Sequence, residues 1–379
     1  MNRKQLNIGL LGFGSMGRTH TWAISAIPFY YRNPPFEARL AGVYTRTERT
    51  REDAKSEFGF VKAYSSEDEL IADPDIDIID ITTPNIAHYE TIKKAINAGK
   101  HIYCEKPLTT TAEEADEVAR LSSDVGITAQ IVFNTRFLSP ILRAKQLIDE
   151  GRLGRIISFR SSYLHASCTD LAKSAGWKQD KTVCGGGVLF DLGSHALDLV
   201  YYLCGNYKKV WGMSQIAHPT RLGMDGKPWQ TNADEAFYML CELECGAKGT
   251  VEANKLAVGA NDDFKLEIYG ERGALRFDLM EPNWLWFYDM EDKSGDLGGE
   301  RGFKRIECCG RYPEPAGIFP GVKAPIGWLR GHLGSMYSFL SAVAGEKQVG
   351  PNFNDAAHIQ RVMQAAYESD MTGAPVVMS

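Results

Sequence analysis

Three observations predict an α/β fold class for this 379-residue chain: a doubly wound parallel sheet, then a second α/β domain with a large, mainly antiparallel open sheet. First, Gly12-Phe13-Gly14-Ser15-Met16-Gly17 follows an apolar strand pattern at 6–11 and precedes a helical stretch. That is the context a dinucleotide fingerprint requires: one glycine for the tight turn, one for backbone approach to pyrophosphate, one for helix packing. Second, strand and helix patterns alternate up to about residue 135, as βαβ crossovers do. Third, strand-like runs then follow one another with glycine-containing turns and few helices.

Within the alternating half, residues 18–27 read as a helix broken by the aromatic segment Pro28 to Pro35. The second strand, 38–44, ends at Thr45-Arg46-Thr47, where an NAD-selective site carries an acid for the ribose hydroxyls. Arg46 offers a guanidinium instead, placed to pair with a 2′-phosphate, to stack on adenine or to face solvent. The cofactor expected is NAD(P), leaning to NADP. Helices at 50–58 and 67–72 precede an isoleucine-rich strand at 75–82. Its carboxyl end, Thr83-Pro84-Asn85, is expected to border the cofactor, with Asn85 capping a helix at 86–98 and His88, on its first turn, reaching the same crevice as a cofactor contact.

A strand at 101–104 then runs into Glu105-Lys106-Pro107, where Glu105 and Lys106 are expected to touch the cofactor. Proline fixes its own φ and keeps the preceding residue out of the helical region. Lys106 is thus expected in an extended turn at a strand's carboxyl end, where open α/β sheets bind ligands. A helix at 112–125 and a strand at 127–133, leading to Asn134, complete a dinucleotide-binding domain over residues 1–130.

The second domain, 131–379, is expected to bind substrate and to form oligomers, its last helix packing back on the first domain. It starts with a helix at 140–151 and a strand at 156–164 leading to His165, a candidate substrate contact. A loop at 176–180 carries Trp177. After Gly185-Gly186-Gly187 comes an apolar helix at 188–203, then strands at 210–216, 236–243, 248–254, 265–269, 274–279 and 284–289. Residues 295–325 read as an irregular excursion, and 333–343 and 356–369 as closing helices. In the 188–203 helix, Asp191, His195 and Asp198 fall on one face by spacings of four and three. A buried helix with a carboxylate and an imidazole on one stripe needs a reason for them. The pair is either a hydrogen-bonded staple or a carboxylate that orients an acid–base imidazole.

The formal net charge of −6 argues against a nucleic-acid partner, which would want a basic stripe. The apolar run after Met1 is too short for a signal peptide, and no run reads as long enough to span a membrane. Eight cysteines without paired C-x-x-C motifs point to free thiols, no metal site and a cytoplasmic setting.

Gly12 to Gly17, Thr83-Pro84-Asn85 with His88, Glu105-Lys106-Pro107, and Gly185-Gly186-Gly187 leading to Asp191, Gly193, His195 and Asp198 occur in this order. Together they resemble the glucose–fructose oxidoreductase/inositol dehydrogenase (Gfo/Idh/MocA) family, over most of the chain. The resemblance implies a Rossmann domain plus a C-terminal α/β domain whose open sheet makes homodimers or homotetramers. It implies hydride transfer between NAD(P) and a secondary hydroxyl or ketone of a sugar, glycoside or cyclic polyol, with Lys106, Asp191 and His195 catalytic and substrate-binding. His195 then removes the hydroxyl proton, Asp191 orients it, and Lys106 clamps the oxygen or shares the base role. Asn134, Trp177 and Lys178 fall where the family touches cofactor or substrate; an arginine commonly stands where this chain has Lys178. Rival readings are a redox-neutral glycoside-cleaving enzyme that oxidises transiently, a reductase of lactones, ketoses or biliverdin- and dihydrodiol-like substrates, and a non-catalytic nicotinamide-binding regulator.

Overall fold

The computed structural model describes residues 3–378 except 224, 310, 311, 313, 317, 318, 320, 322 and 349. Met1, Asn2 and parts of the expected 295–325 excursion therefore lie outside the described residues. The chain forms two compact units: Met1–Phe137 with Pro313–Val322 and Leu329–Gln360, and Leu138–Tyr312 with Lys323–Trp328 and Arg361–Ser379.

In the first unit β1 (Lys4–Leu11) leads to α1 (Ser15–Tyr30), β2 (Phe36–Tyr44), α2 (Glu48–Phe58), β3 (Lys62–Ala63), α3 (Glu67–Ala72) and β4 (Ile78–Ile81). A 3-10 turn at Asn85–Ala87 opens onto α4 (His88–Asn97), followed by β5 (His101–Cys104), α5 (Ala112–Val125) and β6 (Ala129–Ile131). The six strands lie in the order β3-β2-β1-β4-β5-β6, all parallel. This is the Rossmann order, and it reverses between β1 and β4, where such sheets bind ligands beyond the strands' carboxyl ends. Buried on both faces, the central strands are near-continuous apolar runs, and all four residues of β4 are buried. Thr47, Ser66 and Thr111 cap α2, α3 and α5 through their hydroxyls, and Gly59 and Gly126 close α2 and α5 in the left-handed region.

Two local expectations change. α1 continues through Pro28, because a proline in the last turn forfeits a single helical hydrogen bond. The aromatic segment behind it turns inward: Tyr31 stacks on Tyr337 at 3.7 Å and donates to the Pro315 carbonyl. Asn85 does not cap the next helix; the 3-10 turn moves the start of α4 to His88, with Ala87 at its N-cap.

The second unit holds α6 (Ser139–Asp149), β7 (Ile156–Leu164), a 3-10 turn (Trp177–Gln179), α7 (Lys181–Cys184), a π turn (Leu189–Gly193) and α8 (Ser194–Cys204). Then come β8 (Tyr207–Gln215), β9 (Thr220–Leu222), β10 (Pro228–Gln230), β11 (Ala236–Leu243), β12 (Lys248–Asn254), β13 (Asp263–Gly270), β14 (Gly273–Asp278), β15 (Trp284–Asp289) and β16 (Lys304–Glu307). The chain closes with α9 (Trp328–Val343), α10 (Phe353–Thr372) and β17 (Val376–Val377). α9 lies in the first unit from Leu329 on, and α10 belongs to it as far as Gln360. There α9 completes a core in which Leu333, Phe339 and Leu340 pack with Ile8, Ile24 and Phe36.

The nine-stranded sheet runs β16-β15-β14-β13-β7-β12-β11-β8-β17, with β7 and β12 its parallel pair and the other neighbours antiparallel. α6 and α8 cover one face. On β8, Val210 and Gly212 point into that core while Trp211 and Met213 alternate outward, opposite Leu240 and Tyr238 of β11. The excursion expected at 295–325 contains the edge strand β16, whose short charged sequence hid its pairing. By composition Lys181–Cys204 is long and apolar enough to cross a membrane, against expectation. Yet 78% of its apolar window is buried inside the protein, which explains the apolarity without a bilayer.

Candidate functional site

The site residues of the first unit gather beyond β1, β4 and β5. Gly12 has φ +90, and a Cβ there would fall 2.9 Å from the Thr82 carbonyl, so only glycine fits this turn. A Cβ on Gly14 would meet nothing within 4 Å. Gly14 is also the N-cap of α1 and has no side chain to cap it. The start of α1 thus has no side-chain cap and has open space beside Gly14, room for an anion at the helix's amino end. Nearby in sequence to the β4 end, Thr83 Oγ1 is buried without a hydrogen-bond partner among the described residues. Both features fit a dinucleotide: the Gly12–Met16 backbone would hold the pyrophosphate and Thr83-Pro84-Asn85 the next portion.

Several expected cofactor residues have their side chains engaged within the chain. The Phe13 ring packs edge-on against Phe58 and Phe60, at 5.0 and 6.0 Å, leaving its backbone for the ligand. The Thr45 hydroxyl donates to the Thr47 carbonyl at 2.8 Å, whereas Arg46 is exposed. His88 is fully buried, its Nδ1 3.0 Å from the Pro107 carbonyl and its Nε2 2.9 Å from that of Thr83. Burial lowers its pKa. It ties the Thr83 and Lys106-Pro107 turns together, and the expected direct cofactor contact is corrected to that brace. Asn134 is buried against α9, where a Cβ on Gly331 would sit 2.7 Å from the Asn134 carbonyl.

Lys106 is half-buried in its turn, and its peptide bond to Pro107 is cis. Glu105, expected to touch cofactor, is buried and supports this turn from within. Its Oε2 accepts the Lys106 N–H at 3.2 Å and its Oε1 lies 3.1 Å from His20 Nε2. Burial alone would raise the Glu105 carboxyl; the His20 hydrogen bond and charge, with Lys106 and His332, outweigh it and bring it to about 2.

In the second unit the triple glycine is set by close approach. A Cβ on Gly187 would collide with the Asp234 backbone. The Asp234 carboxylate accepts from Gly187 N at 2.9 Å and Leu189 N at 3.1 Å, fixing the start of the helix. The first turn is a π turn, the wider geometry often found at functional sites. The regular stripe expected for Asp191, His195 and Asp198 is therefore interrupted: Asp198 is buried at 2% exposure, while Asp191 and His195 are half-buried. Asp191 Oδ1 pairs with Lys178 Nζ at 2.7 Å and Oδ2 with Lys255 Nζ at 2.9 Å. Burial would lower the Lys255 pKa, but the Asp191 charge and hydrogen bond leave it raised. Trp177, 41% exposed, has the Lys178 ammonium 5.6 Å from its ring.

His165 has its Nε2 2.8 Å from Asp262 Oδ1, which also accepts the Tyr163 hydroxyl at 2.6 Å. Burial raises the Asp262 pKa less than the His165 and Tyr163 hydrogen bonds and the His165 and His195 charges lower it. The Tyr163 ring lies 6.0 Å from that of His195.

Residues 6–133 match the oxidoreductase family model with an NAD-binding Rossmann fold, and residues 141–276 match the GFO/IDH/MocA C-terminal domain. The chain belongs to the Gfo/Idh/MocA family. Like its relatives it is an NAD(P)-dependent oxidoreductase of the sugar- and polyol-dehydrogenase type. Levoglucosan dehydrogenase of Pseudarthrobacter phenanthrenivorans is 31% identical over 97% of this chain and 96% of its own length. The NADP-dependent scyllo-inositol 2-dehydrogenase of Bacillus subtilis is 31% identical over 78% of this chain and 79% of its own. A solved levoglucosan dehydrogenase in complex with NADH and levoglucosan has TM-score 0.95 and 30% identity, covering 99% of this chain and 100% of that one.

Lys255, Asp262, His20 and Asp80 are not among the residues that the sequence pattern singles out. Asp80 did carry a signal: an acid in the middle of an isoleucine strand requires a buried partner. Lys255 follows β12 directly, and nothing in its spacing tells a buried ion pair from a solvated lysine.

Proposed function

We propose that this enzyme oxidises a secondary hydroxyl of a neutral sugar, anhydrosugar or cyclic polyol, with Lys106, Asp191 and His195 at the reacting centre. The observation that carries it is the Asp191 carboxylate held between Lys178 and Lys255. A carboxylate flanked by two ammonium groups is a strong acceptor of hydrogen bonds from sugar hydroxyls. The proton of the reacting hydroxyl then goes to His195, with the Lys106 ammonium donating to the same oxygen. His165, oriented by Asp262, offers Nδ1 as a further hydroxyl contact. When bound, the nicotinamide accepts the hydride.

The finer assignments rest on particular side chains. Exposed Arg46 and the lack of an acid in Thr45-Arg46-Thr47, directly after β2, favour NADP. Trp211, Met213 and Leu240, 49%, 61% and 57% exposed on the sheet's uncovered face, favour a homodimer or homotetramer through that sheet. Eight free thiols, seven of them buried, favour a reducing, cytoplasmic setting.

The test is reduced-cofactor absorbance with NAD and NADP against levoglucosan, D-glucose, D-xylose and scyllo-inositol. Turnover with at least one of them supports the proposal. Tight cofactor binding with no turnover on any of them overturns it.

A further inference from the structure

A buried polar cluster that the proposed reaction leaves unused surrounds His20 of α1. His20 is 1% exposed, Asp80 0% and Glu105 6%. His20 Nδ1 lies 2.8 Å from Asp80 Oδ1 on β4, and Nε2 lies 3.1 Å from Glu105 Oε1 just after β5. A neutral imidazole has one N–H; its other nitrogen is satisfied only by a carboxyl that keeps its proton, and a carboxylate there would face it lone pair to lone pair. The imidazolium donates to both. Two further titratable groups face the ring: Tyr103 of β5, centroid 5.2 Å away and donating its hydroxyl to Ser335, and His332 of α9 at 6.1 Å. Glu105 in turn accepts the Lys106 N–H. The contacts run unbroken from Asp80 through His20 and Glu105 to the backbone of Lys106.

Burial by itself would pull the His20 pKa down, but the two carboxylates hold it up at about 10. One ligand atom each from His20, Glu105 and His332 lie within 4.8 Å of one another, as in a cation site. Both His20 nitrogens already serve carboxylates, so a cation would have to displace the proton that holds the cluster together. The arrangement is a proton-held clamp.

We propose that His20, as an imidazolium bridging Asp80 and Glu105, is the positioning residue that fixes the Lys106 turn. It acts through the Glu105 carboxylate and the Lys106 N–H, and the proposal rests on Lys106 being the lysine of the reacting centre.

Nitrogen-15 NMR of histidine-labelled protein at about pH 8 reads the clamp without reference to activity. Protonation of both His20 ring nitrogens is expected; a singly protonated ring overturns the proposal. Kinetics of His20→Gln, Glu105→Gln and the double variant read the positioning. Each single variant is expected to lose about 10–100-fold in kcat, the scale of a small misplacement, with KM for cofactor within about twofold. The double variant should lose no more than the worse single one; losses that multiply overturn the proposal. Where a single variant does not fold, Asp80→Asn, one link further along, replaces it in the cycle. Lys106→Ala separates the two readings: if it is inactive while the losses multiply, the clamp fails alone, and if it stays active, the role of Lys106 fails.

Discussion

Lys255 Nζ lies 2.9 Å from Asp191 Oδ2, and the Lys255 side chain is 7% exposed. Lys178, the other cation on Asp191, is 45% exposed and screened by solvent. The two pairs therefore differ in weight. Removing the carboxylate leaves a buried ammonium with its main charge partner gone, a change that costs about 3–5 kcal/mol. Asp191→Asn is expected to lower the urea midpoint strongly and Lys178→Ala hardly at all. Adding Lys255→Met to Asp191→Asn should recover part of the loss, because the uncompensated charge leaves with it. Equal effects of the two single variants would contradict this account of Asp191.

The glycine cradle separates stability from cofactor binding. Gly12→Ala forces a side chain into a left-handed turn against the Thr82 carbonyl, and is expected to destabilise by about 1–2 kcal/mol. Gly14→Ala meets no protein atom, so its melting temperature should stay at the wild-type value. Its added methyl lies where a pyrophosphate would rest. A loss of about tenfold in cofactor affinity, or about 1.4 kcal/mol, is expected by fluorescence titration.

Arg46 decides between the two dinucleotides. Arg46→Ala is expected to raise KM for NADP about tenfold or more, the loss of a charge-assisted phosphate contact, and to change KM for NAD about twofold or less. Equal changes for both cofactors would place the guanidinium on adenine or in solvent.

The His20 cluster makes stability depend on pH in a set direction. The His20 pKa rises from 6.5 to about 10 on folding, so its contribution is complete below 6.5 and is lost as pH climbs through about 10. The Glu105 pKa falls from 4.5 to about 2, so its contribution is present above 4.5 and is lost as pH drops through about 2. Asp80, raised by burial against the pull of His20, works the other way and offsets part of the Glu105 term. The difference in urea midpoint between wild type and His20→Gln should hold from about pH 5 to 7 and shrink towards about pH 10. A difference that grows with pH would mean that His20 is buried neutral.

Much of this was legible in the amino-acid pattern. The Gly12 to Gly17 run and the βαβ alternation specify the Rossmann order because each strand end and each crossover has its own local chemistry. α3, β5, α5, β7, β11, β12 and β15 begin and end where their periodicity and flanking turn residues place them. The rest depended on tertiary contact. The His88 brace, the Asp262 hold on His165 and the Lys255–Asp191 pair join segments 19, 97 and 64 residues apart. No spacing rule spans such distances. The π turn at Leu189–Gly193 was likewise hidden, since Asp234, which fixes it, lies on the far side of the β9–β10 hairpin.

The central claim is direct hydride transfer from a sugar carbon to nicotinamide, and isotope tracing reads it. The enzyme is incubated with NAD or NADP and a ring-perdeuterated sugar on which it is active, and the reduced cofactor is weighed by mass spectrometry. The account predicts one deuterium per reduced nicotinamide, with formation falling about 10²–10⁴-fold in Lys106→Ala. Reduced cofactor without deuterium, or undiminished formation in Lys106→Ala, would contradict it.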